Sequence, residues 1–140
     1  MIANTDIKLI VSTHPRTKDK LRNIKININK NIKFLEPFGF FDFIKLEQNA
    51  KCVLTDSGTV QEEACILRVP CVVARKTTER PETIECGASI LSGIKARNIY
   101  RCYKHIINTN LNWRIPKEYL YTNVSDKVIN YLMNKGNKIE

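Results

Sequence analysis

Cys52-Val53-Leu54-Thr55-Asp56-Ser57-Gly58-Thr59-Val60-Gln61-Glu62-Glu63 combines a short apolar run, a small polar turn and two carboxylates near the start of a helix. The apolar residues fall on both faces of an extended segment, which suits a strand buried in a parallel sheet rather than one with a wet side. Asp56-Ser57-Gly58 then turns the chain. Thr59 and Glu62 have the T-x-x-E spacing of a capping box, so Thr59 is expected at the cap and Glu62 is expected to reach back to the cap amide. The remaining turn amides and the helix dipole favour an anion beside Ser57 and Gly58, and Glu63 is placed to accept hydrogen bonds from vicinal sugar hydroxyls. The spacing by itself requires no more than a capped strand-turn-helix with no ligand.

Working outward, residues 7–13 read as a strand that delivers His14-Pro15-Arg16 at its carboxyl end, and Pro15 keeps that strand from continuing as a central one. A short helix is expected from Thr17 to about Asn23, and the Asn-Ile alternation after it is ambiguous. Residues 32–35 resemble a second strand. Phe38, Phe40, Phe41 and Phe43 crowd into one segment that continues to Asn49 with a helical apolar period, and these rings read as core. After the quoted stretch and its helix over 60–67, residues 70–74 make a fourth strand. The polar loop Thr77-Thr78-Glu79-Arg80-Pro81-Glu82 feeds a helix at Pro81, with Glu82 suiting its positive end. Residues 89–91 are a fifth strand. Ile99, Cys102, Tyr103 and Ile106 form one stripe of an amphipathic helix over 95–107, with His105 off the stripe and in solvent. A loop with Trp113 and Pro116 leads to a last helix, opened by Ser125 and packing Val128, Ile129, Leu132 and Met133; residues 134–140 are expected to fray.

Strands alternating with helices at this spacing predict an α/β fold: a Rossmann-like parallel sheet with helices on both faces and right-handed crossovers. Ligands on such sheets bind at the carboxyl ends of the strands. His14, the 38–43 segment, the Ser57 turn and the Thr77–Arg80 loop all follow expected strands, so they are expected to meet on that edge.

The 140 residues correspond to one domain, short for a complete two-domain enzyme. No apolar segment has the length of a membrane span, and Met1 to Asp6 lack a signal-peptide layout, so the expected location is the cytoplasm, with no membrane partner. Five cysteines without a C-x-x-C pair indicate neither zinc nor a disulfide framework. The net charge is +9, and residues 7–35 hold eight Lys or Arg against Asp19 alone. A basic nucleic-acid or anionic-surface binder is therefore the alternative class. Against nucleic acid, no aromatic interleaves those charges and no known RNA or DNA module appears.

Val11-Ser12-Thr13-His14-Pro15-Arg16, Phe40-Phe41-Asp42-Phe43, Thr55 to Glu63, and Thr77-Thr78-Glu79-Arg80-Pro81-Glu82 occur in the order and spacing of the non-hydrolysing UDP-N-acetylglucosamine 2-epimerases. The chain resembles the carboxyl-terminal half of such an enzyme over about residues 7–134. The resemblance implies one half of a two-domain GT-B arrangement, with the amino-terminal catalytic domain and its proton-transfer carboxylates absent. It implies UDP or a UDP-N-acetylhexosamine as ligand and no cofactor or metal. By the same resemblance His14 approaches the phosphates and reacting sugar as the catalytic histidine, and Phe43 lies near the uracil. Ser57 and Gly58, with Thr59 beside them, hold pyrophosphate; Glu63 holds ribose; and Arg80 sits on a cleft loop. Thr59 stands where many members have a second glycine, and Pro15 where arginine is common. Thr59, Phe40 to Phe43 and Asn123-Val124-Ser125 resemble the branch that acts on 6-deoxyhexose or diacetamido uronic acid nucleotides in capsule and O-antigen synthesis. A half of this kind is expected to expose an apolar patch where its partner domain would sit, and so to bind a separate amino-terminal half or to self-associate.

Overall fold

Parallel strands need a crossover between them, and each strand here is followed by a helix or loop long enough to make one. The computed structural model describes residues 7–22 and 29–136. β1 (Leu9–Ser12), α1 (Pro15–Arg22), β2 (Ile32–Leu35) and α2 (Phe40–Gln48) come first. β3 (Val53–Thr55), α3 (Gly58–Ile66), β4 (Cys71–Val73), α4 (Pro81–Glu85), β5 (Ser89–Leu91) and α5 (Ala96–Asn108) follow. A 3-10 turn, Lys117–Leu120, and α6 (Val124–Gly136) complete the order. The expectations for Met1 to Asp6, for most of the Asn-Ile alternation and for the last four residues lie outside the described residues.

β1 pairs with β2 in parallel, Leu9 opposite Ile32, and β3, β4 and β5 form a second parallel ladder in that order, Val53 opposite Cys71 opposite Ser89. β4 is hydrogen-bonded on both sides, and all three of its residues are buried. An apolar run with no polar alternation is what such a position requires. Ala64 of α3 packs on Cys71 and Val73, with Val53 and Leu91 closing the cluster. On the other side of α3, Cys65 packs with Ala88 and Trp113.

The end of α3 shows how the turn into β4 is held. Arg68 has φ of 63°, a left-handed conformation unusual for a side chain with a Cβ. Its amide bonds Cys65 O and the next amide, Val69 N, bonds Ala64 O at 2.9 Å, the two-bond pattern that closes a helix through a left-handed residue. The Arg68 guanidinium donates to Trp113 O, and Trp113 Nε1 donates to Cys65 O at 3.1 Å. The strained residue thus ties the segment after α5 back onto α3.

Three expectations change. α1 begins at Pro15 rather than Thr17, because Pro15 takes the first helical position, where its missing N–H costs nothing. Phe40 and Phe41 are not core: they open α2 on its outer side, 67% and 85% exposed. Val128, Ile129, Leu132 and Met133 of α6 are exposed as well, since no described element covers their face. The α5 stripe is as expected, with Ile106 buried, Ile99, Cys102 and Tyr103 half-buried, and His105 exposed.

Candidate functional site

The amino end of α3 is built from its own turn. Ser57 N donates to Thr55 Oγ1 at 3.0 Å, which folds the chain as it leaves β3, and Ser57 Oγ accepts from Val60 N. Ser57, not Thr59, is therefore the cap, and α3 starts at Gly58. Thr59 lies exposed in the first turn. The expected capping box fails because Glu62 has a stronger partner: its carboxylate forms an ion pair with Arg80 Nε. A charge-assisted pair with guanidinium outcompetes a reach back to a single backbone amide.

Arg80 is thereby brought to the turn. Its side chain lies over Gly58, where an added Cβ would meet it at 3.9 Å, an ordinary contact. Neither φ nor crowding demands glycine there, so what its small size provides is access to the backbone. Gly58→Ala is expected to leave thermal stability within about 1 °C of the wild type while weakening anion binding about tenfold. Thermal melts and calorimetry with UDP check both halves of that expectation.

The loop that carries Arg80 is fixed from below by Gln61, which is completely buried. Gln61 Nε2 donates to Arg80 O at 3.2 Å and to Thr83 Oγ1, while Gln61 Oε1 accepts from Thr78 Oγ1 at 2.8 Å. Thr78 Oγ1 accepts in turn from Arg80 N at 3.1 Å. A single amide side chain on α3 thus sets the backbone on both sides of the guanidinium. Reading the sequence did not single out Gln61, because its partners are brought near only by the fold.

Glu63 is half-buried on α3 next to this pair, and its carboxyl is raised above the ordinary range by burial and then by the Glu62 charge. Phe43 is half-buried on α2, a helix that packs against α3. His14 is exposed just after β1, and its Nδ1 accepts from Arg16 N at 3.2 Å. That bond leaves Nε2 to carry the proton of the neutral ring. The described contacts join Ser57, Gly58, Glu62 and Arg80 directly, and they do not join His14 to this group.

Among the described residues, no group of three or more His, Cys, Asp or Glu could hold a metal ion. The five cysteines are free thiols. Burial pushes Cys52 up to about 11 and Cys65 and Cys71 up to about 12, so these three stay protonated and are poor nucleophiles. No helix among the described residues is long and apolar enough to cross a membrane.

The UDP-N-acetylglucosamine 2-epimerase of Methanocaldococcus jannaschii is 48% identical over 115 residues, which cover 79% of this chain and 31% of that enzyme. The crystal structure of the same organism's enzyme in complex with UDP-GlcNAc and UDP superposes with a TM-score of 0.82 at 42% identity, over 95% of this chain and 37% of that one. The enzyme structure from Rickettsia bellii gives a TM-score of 0.79 at 36% identity, over 95% of this chain and 38% of that one. The chain therefore spans about a third of the length of the relatives it matches, and its Rossmann-like α/β fold corresponds to one half of a GT-B arrangement. The family model for UDP-N-acetylglucosamine 2-epimerase matches residues 1–133, and the chain belongs to that family.

Proposed function

We propose that these 140 residues are the nucleotide-holding domain of a UDP-sugar 2-epimerase, which binds UDP or a UDP-N-acetylhexosamine and does not epimerise the sugar alone. The observation that carries this reading is the seating of Arg80, ion-paired to Glu62 and laid over Gly58 at the amino end of α3. First-turn amides of a helix have no intrahelical acceptor, and together with a fixed guanidinium they suit a pyrophosphate. Glu63 accepts from the ribose hydroxyls, and Phe43 lies against the uracil. Thr59 flanks the phosphates, and His14 presents Nε2–H to them from the end of β1. The complex of the M. jannaschii relative with UDP-GlcNAc and UDP supports this ligand class.

Epimerisation at C2 removes the C2 proton to a base and breaks the C1–oxygen bond to release UDP, leaving a 2-acetamidoglucal. Re-addition from the other face inverts C2. The residues assigned here hold and stabilise the leaving group, and a second domain supplies the acid and base around C2. The exposed apolar residues of α6, with Phe40 and Phe41, suit contact with that domain or with a second copy. The free thiols fit work in the cytoplasm.

Mixing the chain with a separately expressed amino-terminal half of a family enzyme is expected to restore epimerisation of UDP-N-acetylglucosamine that neither part performs alone. Turnover by this chain alone, or none in the mixture, overturns the division of labour.

A further inference from the structure

α2 carries a carboxyl group that the nucleotide site as described leaves unused. Glu47 is only 4% exposed, and neither of its side-chain oxygens has a hydrogen-bond partner. No Lys or Arg of the described residues forms an ion pair with it. Phe43 and Glu47 are four residues apart in α2, so they share one helix face. α2 packs on α3, and the charge of Glu63 on α3 is close enough to be felt at Glu47. Cys71 at the start of β4 also senses it, with Cys52 beside Cys71. These neighbours are themselves acids, and the two thiols stay neutral.

Burial with no cation and no donor disfavours the charged form of a carboxyl, and burial followed by the Glu63 charge accordingly pushes Glu47 up to about 7. The aromatic one turn away on α2 and the carboxylate on α3 are the two groups assigned to the nucleoside, and that assignment is the reading on which this inference rests. We propose that Glu47 is a positioning residue for the nucleoside: as a neutral acid on the α2 face it shares with Phe43, packed toward the helix that carries Glu63, it leaves Glu63 the uncompensated anion that meets the ribose, and its ionisation loosens the nucleotide. Glu62, the other carboxylate nearby, is already neutralised by Arg80. Closing a ribose over Glu63 removes water from Glu63 and so lets its charge act more strongly on the buried Glu47, and binding therefore favours the protonated form of Glu47 and is weakened as that proton leaves.

UDP-N-acetylglucosamine is a suitable probe, because its diester phosphates carry no proton that titrates near neutrality. Calorimetry on the 140-residue chain from about pH 5.5 to about pH 8.5 is expected to show affinity falling above neutrality, approaching tenfold per pH unit at the upper end. In Glu47→Gln, which keeps shape and neutrality, affinity is expected to vary less than about twofold over the same range. A Glu47→Gln profile as steep as the wild type's overturns the inference while leaving the nucleotide site standing. No binding by the wild type at any pH overturns the site and this inference together. If Glu47→Gln does not fold, carbon-detected NMR of the Glu47 carboxyl in the wild type decides: its midpoint is expected to rise when the probe is added, and an unmoved midpoint overturns the inference.

Discussion

Gln61→Leu is expected to lower stability by about 3 kcal/mol and to weaken UDP binding at the same time. Leucine fills nearly the same volume, so packing around α3 is kept and the loss isolates hydrogen bonding. Two donations, to Arg80 O and Thr83 Oγ1, and one acceptance from Thr78 Oγ1 disappear together around a side chain that is itself completely buried. A buried polar group left without its partner costs about 1–3 kcal/mol. Thr83 Oγ1 still donates to Arg80 O at 3.0 Å, which limits the total. The binding loss follows because the backbone on both sides of Arg80 is released, and the guanidinium no longer has one position over Gly58. Urea denaturation with an unchanged slope and a lower midpoint checks the first part. A stability loss below about 1 kcal/mol would mean that Gln61 does not hold the loop.

The second large effect is a pH dependence of stability. Glu47 sits at about 7 in the folded chain against an ordinary carboxyl value of 4.5, so over that interval the folded state binds the proton more tightly than the unfolded state. Its contribution is fully present below pH 4.5 and is lost as pH rises through 7. The full difference amounts to about 3 kcal/mol. Glu47→Gln removes this dependence, so the variant is expected to be less sensitive than the wild type over that range and relatively more stable above neutrality. Parallel denaturation of the two proteins in acidic and mildly alkaline buffer measures it. Curves that stay parallel across the range would show Glu47 already ionised in the fold.

Much of the architecture was legible because each strand announces itself locally. β5 has the expected bounds, and Pro81 stands at the first helical position as expected. The misjudged points depend on tertiary competition. Ser57 and Thr59 are both eligible caps, and the local rule favoured Thr59 because of Glu62; Arg80, distant in sequence, takes Glu62 away. Glu47 has no local signal in the sequence, and only the fold shows that it is buried without a partner. α6 has an apolar stripe, but a stripe states what a helix can bury and not what covers it. The family motifs pointed to Arg80, while Gln61, which holds it, lies inside the same D-S-G-T-V-Q-E-E segment with no local signal of its role.

Isothermal calorimetry of UDP against the wild-type chain and Glu63→Ala tests the nucleotide assignment most directly. The account predicts saturable binding by the wild type and at least about a tenfold loss in Glu63→Ala, with both proteins folded. Equal heats in the two proteins, or no binding by the wild type, would contradict it.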